Sequence, residues 1–153
     1  MEAQTPFTNI LVPTDGSETS INAGRLAVQI ASTHHTKITF VYVIDANIAE
    51  EVAAATTKTR EMVCDQLRLN AQRYLDYLTR FAVNYGLHAD QVVRYGTPYT
   101  EITELAREIG VDLIVIGRVT SKGTQRLARI GSVAERVIQY AHCPVLTVRH
   151  TVR

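Results

Sequence analysis

Apolar runs and amphipathic stretches alternate along this chain from one end to the other. Residues 9–13 (NILVP) form a short apolar run, and residues 38–44 (ITFVYVI) a longer one rich in β-branched and aromatic side chains. Residues 91–95 (QVVRY) are weaker, while 112–117 (DLIVIG) and 144–149 (PVLTVR) are strong. Unbroken apolar runs of this kind suit strands buried on both faces of a parallel sheet. Helices are predicted between them. Residues 18–32 carry Ile21, Leu26, Ala27, Ile30 and Ala31 at helical spacing, and residues 58–85 carry a stripe from Leu67 through Ala71, Tyr74, Leu75 and Leu78 to Tyr85, with Gly86 as the stop. Thr97-Pro98 reads as an N-cap followed by proline at the first helical position, opening a helix through Ile102, Leu105 and Ala106 to Gly110. Residues 132–140 form the last helix. The Ala/Glu/Thr-rich stretch 46–59 is expected to be a mobile connection. Five strands alternating with four helices require right-handed crossovers, so the chain is expected to fold over residues 1–153 as one doubly wound α/β domain.

Composition narrows the class. The chain has 153 residues, 46% of them hydrophobic and 20% charged, which is the profile of a globular domain rather than a disordered segment. A formal net charge of +1 lacks the basic footprint of a nucleic-acid binder. No apolar run approaches a membrane span, and no secretory leader is recognised at the N-terminus. Cys64 and Cys143 form no CxxC or metal-ligand spacing. These features together lead to the expectation of a cytoplasmic protein with reduced thiols.

Ligands of an open parallel sheet bind beyond the carboxyl ends of the strands, near the point where strand order reverses. Three segments arrive there: 13–17 (PTDGS), 43–45 (VID) and the loop 117–132 (GRVTSKGTQRLARIGS). The loop carries Arg118, Lys122, Arg126 and Arg129, with no acid before Glu135, and it delivers Gly131-Ser132 onto a helix start. Unsatisfied N–H groups and the positive end of the helix dipole make such a start an anion site, and a glycine there lets phosphate oxygens approach the backbone. The bland alternative is a capping box, since Ser132-Val-Ala-Glu135 fits S-x-x-E. Asp15 has three readings: a helix-start residue, a ligand for a ribose hydroxyl or a phosphate-bridged Mg²⁺, or the phospho-acceptor of a receiver domain. The last needs an aspartate ending the third strand and a lysine ending the fifth, where Tyr95 and Arg149 stand, and is discarded. The histidines lack the paired spacing of a metal or catalytic site. Neither a Walker A loop nor a GxGxxG turn follows the first strand, which disfavours P-loop hydrolases and dinucleotide dehydrogenases.

Taken together, ILVPTDGSE at 10–18, FVYVIDA at 40–46 and LIVIGR…IGSVAERVIQYAHCPVLTVR at 113–149 resemble the universal stress protein family, with a match from Thr8 to Arg149. The resemblance implies a flavodoxin-like, Rossmann-like five-stranded sheet with helices on both faces. It also implies an adenine nucleotide, ATP or AMP, held by Pro13, Thr14 and Asp15, by Val43 against the adenine, by Gly117 with Arg118, and by Gly131, Ser132 and Val133. Mg²⁺ would accompany the nucleotide at Asp15. The family's ATP-binding branch is marked by G-x2-G-x9-G-[ST]. Gly117 and Gly131-Ser132 match its ends, but the loop is one residue longer, the middle glycine is replaced by Thr120 or Ser121, and Gly123 is off register. Thr120, Ser121 and Lys122 could supply donors instead. The family further implies a homodimer through the last strand, Val145, Leu146, Thr147 and Val148, whose apolar edge invites self-pairing.

The leading expectation is an ATP-binding stress or signalling protein, with any hydrolysis slow for want of a general base. The alternative is a stress protein that does not retain ATP or prefers AMP or a cyclic nucleotide, and works through protein partners. A nucleotidyl transferase or ATP pyrophosphatase would need a Ser-Gly-Gly-x-Asp-Ser loop, which Thr14-Asp15-Gly16-Ser17 lacks.

Overall fold

The computed structural model describes residues 7–118 and 130–149. Among them the chain forms β1 (Asn9–Pro13), α1 (Glu18–Ser32), β2 (Lys37–Asp45), α2 (Ala46–Ala55), α3 (Arg60–Asn84), β3 (Ala89–Gly96), α4 (Pro98–Glu108), β4 (Leu113–Gly117), α5 (Ser132–Tyr140) and β5 (Val145–Val148). The strands build one parallel sheet in the order β3-β2-β1-β4-β5. The chain therefore winds outward from β1 to one edge and then returns to begin again at β4. The reversal lies between β1 and β4.

Successive residues of a strand point to opposite faces, and both faces here are covered. Ile10, Val12, Phe40, Leu113 and Val115 pack with Ala27, Val28, Leu75 and Leu78, beneath α1 and α3. Leu11, Val41, Ile114 and Ile116 pack with Ile102, Leu105, Ala134 and Val137, beneath α4 and α5. This two-sided burial is the cause of the unbroken apolar runs in β1, β2 and β4.

One expected connection is a helix instead. Residues 46–55 form α2 because the Asp45 carboxylate accepts hydrogen bonds from the N–H groups of Asn47 (3.0 Å) and Ile48 (3.4 Å). Ala49 is then buried against Val63 and Cys64 of α3, with Ala53, Leu67 and Tyr95 around them. α3 itself starts at Arg60, two residues later than expected, where the Thr59 hydroxyl accepts from Met62 N–H. Thr97 precedes α4 with Pro98 at its start, as expected, but makes no side-chain capping bond.

At the amino edge of the sheet, Asp112 ties β4 to β1. Its carboxylate accepts from Thr8 N–H (2.8 Å), the Thr8 hydroxyl (2.8 Å) and Asn9 N–H (3.0 Å). Burial pushes this carboxyl up, but the hydrogen bonds outweigh it and hold it below the ordinary aspartate range. A depressed folded-state value contributes stability that is present above the unfolded pKa of about 3.9 and is lost as pH falls through the lower folded value. Asp112→Asn should lower stability by about 1 kcal/mol at pH 7. It should also flatten the loss of stability on acidification below about pH 4, measured by urea melts across that range. Equal slopes in the two proteins would contradict the assignment.

Candidate functional site

The carboxyl ends of β1, β2 and β4 meet at the reversal in strand order. Thr14 continues β1 by donating its N–H to the Val41 carbonyl of β2 (2.8 Å). Its buried hydroxyl is spent locally, bonded to Ser20 Oγ (3.0 Å) and accepting from Gly16 N–H (3.3 Å). Thr14 thus pins the end of β1 to the first turn of α1. Asp15 follows on the exposed rim. Its Oδ1 accepts from Ser17 N–H (2.9 Å), and Ser17, not Asp15, is the N-cap of α1, taking the Ser20 N–H. The helix-start reading of Asp15 therefore accounts for one carboxylate oxygen.

Val43 stands two residues beyond Val41 and is half-buried on the α4/α5 face, next to the cluster that holds Leu11 and Ile114. Pro13 is buried at the end of β1. Tyr42 points to the opposite face from Val43. Its phenol is pushed up by burial, then by the Asp15 carboxylate and Tyr74, which places these three side chains in one neighbourhood.

Gly117 ends β4 where no side chain would fit. A Cβ there would stand 2.8 Å from Ser20 N, 2.8 Å from the Thr19 carbonyl carbon and 2.9 Å from its oxygen. The backbone of α1 lies directly against it, so this glycine has a packing cause independent of any ligand. Arg118, half-buried, donates its N–H to the Val148 carbonyl (2.8 Å), and its own carbonyl accepts from Gly131 N–H (2.5 Å). This bond joins the residue after β4 directly to the start of α5. Thr120, Ser121, Lys122, Gly123, Arg126 and Arg129, the expected donors within residues 117–132, lie outside the described residues.

Two expectations for the helix start change. Gly131 is the N-cap of α5, with φ −61° and ψ 153°, and no side chain caps the helix. Ser132 is the first helical residue, so Ser132 and Glu135 are one position out of register for a capping box. The cause is the Arg118 carbonyl, which draws Gly131 into the extended cap conformation. The same bond consumes the Gly131 N–H. The donors that remain ahead of the helical ladder, which opens with Glu135 N–H to the Gly131 carbonyl (2.9 Å), are the amides of Ser132, Val133 and Ala134. The Ser132 side chain is exposed beside them. A φ of −61° is open to any residue, so backbone conformation does not demand glycine at 131.

The sequence places Gly16 at this edge within residues 13–17, but it does not mark Tyr42 or Tyr74 as parts of it. Helical spacing puts Tyr74 on an apolar stripe, yet it is 36% exposed and its ring lies over Gly16. The signal for these two within the sequence is slight: Tyr42 stands two residues after Phe40 in an apolar strand, and Tyr74 falls on the apolar stripe of a helix.

The fold and this edge define a doubly wound α/β domain whose helix-start amides and exposed carboxylate gather at the topological switch. The model of the universal stress protein family matches residues 6–149, and the chain belongs to that family. It is 34% identical over 143 residues to universal stress protein MJ0531 of Methanocaldococcus jannaschii, covering 94% of this chain and 82% of that protein. It superimposes on universal stress protein UspA from Lactobacillus plantarum with a TM-score of 0.80 and 27% identity, over 95% of this chain and all of that one. The same fold occurs in a universal stress protein in complex with cAMP (TM-score 0.65, 24% identity, 95% and 98% of the two chains). It occurs again in one from Archaeoglobus fulgidus in complex with dAMP (TM-score 0.68, 21% identity, 94% and 99%). Among the described residues, no helix is long and apolar enough to cross a membrane, and no three His, Cys, Asp or Glu side chains gather as a metal site.

Proposed function

We propose that this chain binds an adenine nucleotide at the switch between β1 and β4 and acts as a nucleotide-responsive stress or signalling protein. The observation that carries this reading is the start of α5. Three amides precede its hydrogen-bond ladder beside a glycine that its backbone angles do not require. A phosphate would accept from the amides of Ser132, Val133 and Ala134, with the Ser132 hydroxyl as a further donor. The ribose would approach Asp15 through the carboxylate oxygen that Ser17 does not use, and the adenine would lie near Pro13 and Val43. Thr14 and Gly117 would shape the crevice rather than touch the phosphates. A Mg²⁺ at Asp15 would draw most of its ligands from phosphate oxygens and water, as magnesium commonly does.

ATP is the ligand of the leading reading. A nucleoside monophosphate is the second, favoured because the two complexes above hold cAMP and dAMP, each with one phosphate. Calorimetric titration with ATP, ADP, AMP and cAMP, with and without Mg²⁺, separates them. Tightest binding of ATP selects the first; tightest binding of AMP or cAMP selects the second; no heat with any of them overturns both.

The chain would work in the cytoplasm as a homodimer paired through β5. That strand has a hydrogen-bonded neighbour on one side, β4, and Leu146 is 37% exposed on it. Such an edge is a template for a second copy. Light scattering at micromolar concentration should give twice the 17.0 kDa chain mass; a monomer would refute the dimer.

A further inference from the structure

Within the loop that carries Asp15, two short-range bonds shape the turn. Thr14 Oγ1 accepts from Gly16 N–H at 3.3 Å, and Asp15 Oδ1 accepts from Ser17 N–H at 2.9 Å, each reaching two residues along the chain. Besides the Thr14 N–H bond to the Val41 carbonyl of β2, a contact from outside comes from α3. A Cβ on Gly16 would stand 2.3 Å from Tyr74 Cε2, 2.4 Å from its Cζ and 2.8 Å from its Cδ2, so the ring is packed against the glycine backbone itself. Gly16 also sits at φ +81°, in the left-handed region that glycine enters without steric cost. Behind Tyr74 the ring of Tyr42, from β2, lies parallel to it, with centroids 6.5 Å apart and planes 1° apart. Burial, followed by the Asp15 carboxylate and Tyr74, raises the Tyr42 phenol, in keeping with the proximity of the three side chains. Most of α3's inner face is committed to the core through Ala71, Leu75 and Leu78, which fixes where the exposed Tyr74 ring can reach.

We propose that Tyr74 is a positioning residue for the ligand edge: its ring, seated on Gly16 and backed by Tyr42, holds residues 14–17 in the turn that presents Asp15. The inference rests on the nucleotide reading of that edge for its functional consequence. Its physical content, a ring that orders the loop, stands apart from it. The phenol hydroxyl has no part in this role, so phenylalanine should serve as well as tyrosine. A methyl group should not.

The test uses the full chain with Tyr74→Ala and Tyr74→Phe, read in two ways. Calorimetry with whichever of ATP or AMP the native protein binds more tightly should show about a tenfold loss of affinity in Tyr74→Ala and a change of less than about twofold in Tyr74→Phe. Without ligand, the ¹⁵N order parameters of Gly16 and Ser17 should drop from about 0.85 toward about 0.6 in Tyr74→Ala and recover in Tyr74→Phe. Order parameters in α5 should stay unchanged in both. Native-like order at residues 16–17 in Tyr74→Ala overturns the proposal, as does unchanged affinity in a native protein that binds. If the native protein binds neither nucleotide, the nucleotide reading fails, and the order parameters alone decide whether Tyr74 holds the loop.

Discussion

Gly117→Ala should lower the stability of this protein by about 3 kcal/mol, and its melting temperature by about 6–12 °C. The added methyl has nowhere to go. It would meet Ser20 N and the Thr19 carbonyl group at 2.8–2.9 Å, and these are backbone atoms that cannot rotate aside as a side-chain tip can. Relief requires lifting the end of β4 from the sheet or displacing the first turn of α1. The first movement strains the pairing of Gly117 with Val148, and the second breaks the Thr14–Ser20 hydroxyl bond at 3.0 Å. Both distort the edge proposed to hold the ligand, so affinity should fall together with stability. Differential scanning calorimetry checks the stability, and an unchanged melting temperature would show that the contact between α1 and β4 is looser than described.

Gly131→Trp should act in the opposite proportion. Its backbone angles, φ −61° and ψ 153°, are open to any residue, and Gly131 sits outside the buried clusters. Losing glycine at an N-cap costs about 1 kcal/mol or less, so the variant should fold and melt close to the native protein. The indole, however, would project beside the amides of Ser132, Val133 and Ala134 and exclude a phosphate from them. Affinity for the nucleotide should fall more than about 100-fold, equivalent to at least about 2.7 kcal/mol. Retained affinity in a folded Gly131→Trp would remove the phosphate from this helix start. The two glycines thus separate cleanly: 117 answers mainly in stability and 131 in binding.

The contrast shows which parts of the molecule can be read along the chain. Helices α1 and α5 have the bounds that their spacing predicts, because each has a strong apolar stripe and a sharp start at Ser17 or Gly131. Strands β1 and β4 announce themselves because they are central and buried on both faces. β3 is fainter because it is an edge strand with most of its residues partly or fully exposed, and it runs from Ala89 to Gly96 rather than over residues 91–95. α2 escaped notice because Ala49 is its one fully buried residue and its start depends on a single carboxylate, Asp45. At the site, Asp15, Val43 and Gly131-Ser132 could be placed at one edge from the doubly wound pattern alone. What that pattern could not contain is contact between distant residues. The backbone of α1 pressed on Gly117, the Arg118 carbonyl that takes the Gly131 N–H and shifts the capping register by one, and the Tyr74 ring on Gly16 all arise only when the helices settle on the sheet.

If the amides opening α5 receive the phosphate of an adenine nucleotide, a crystal structure grown with saturating ATP or AMP will reveal it there. Phosphate oxygens are expected about 3 Å from the N–H groups of Ser132, Val133 and Ala134, with the ribose beside Asp15. A structure in which the nucleotide lies elsewhere, or a protein side chain fills that helix start while ligand is in excess, would contradict this placement.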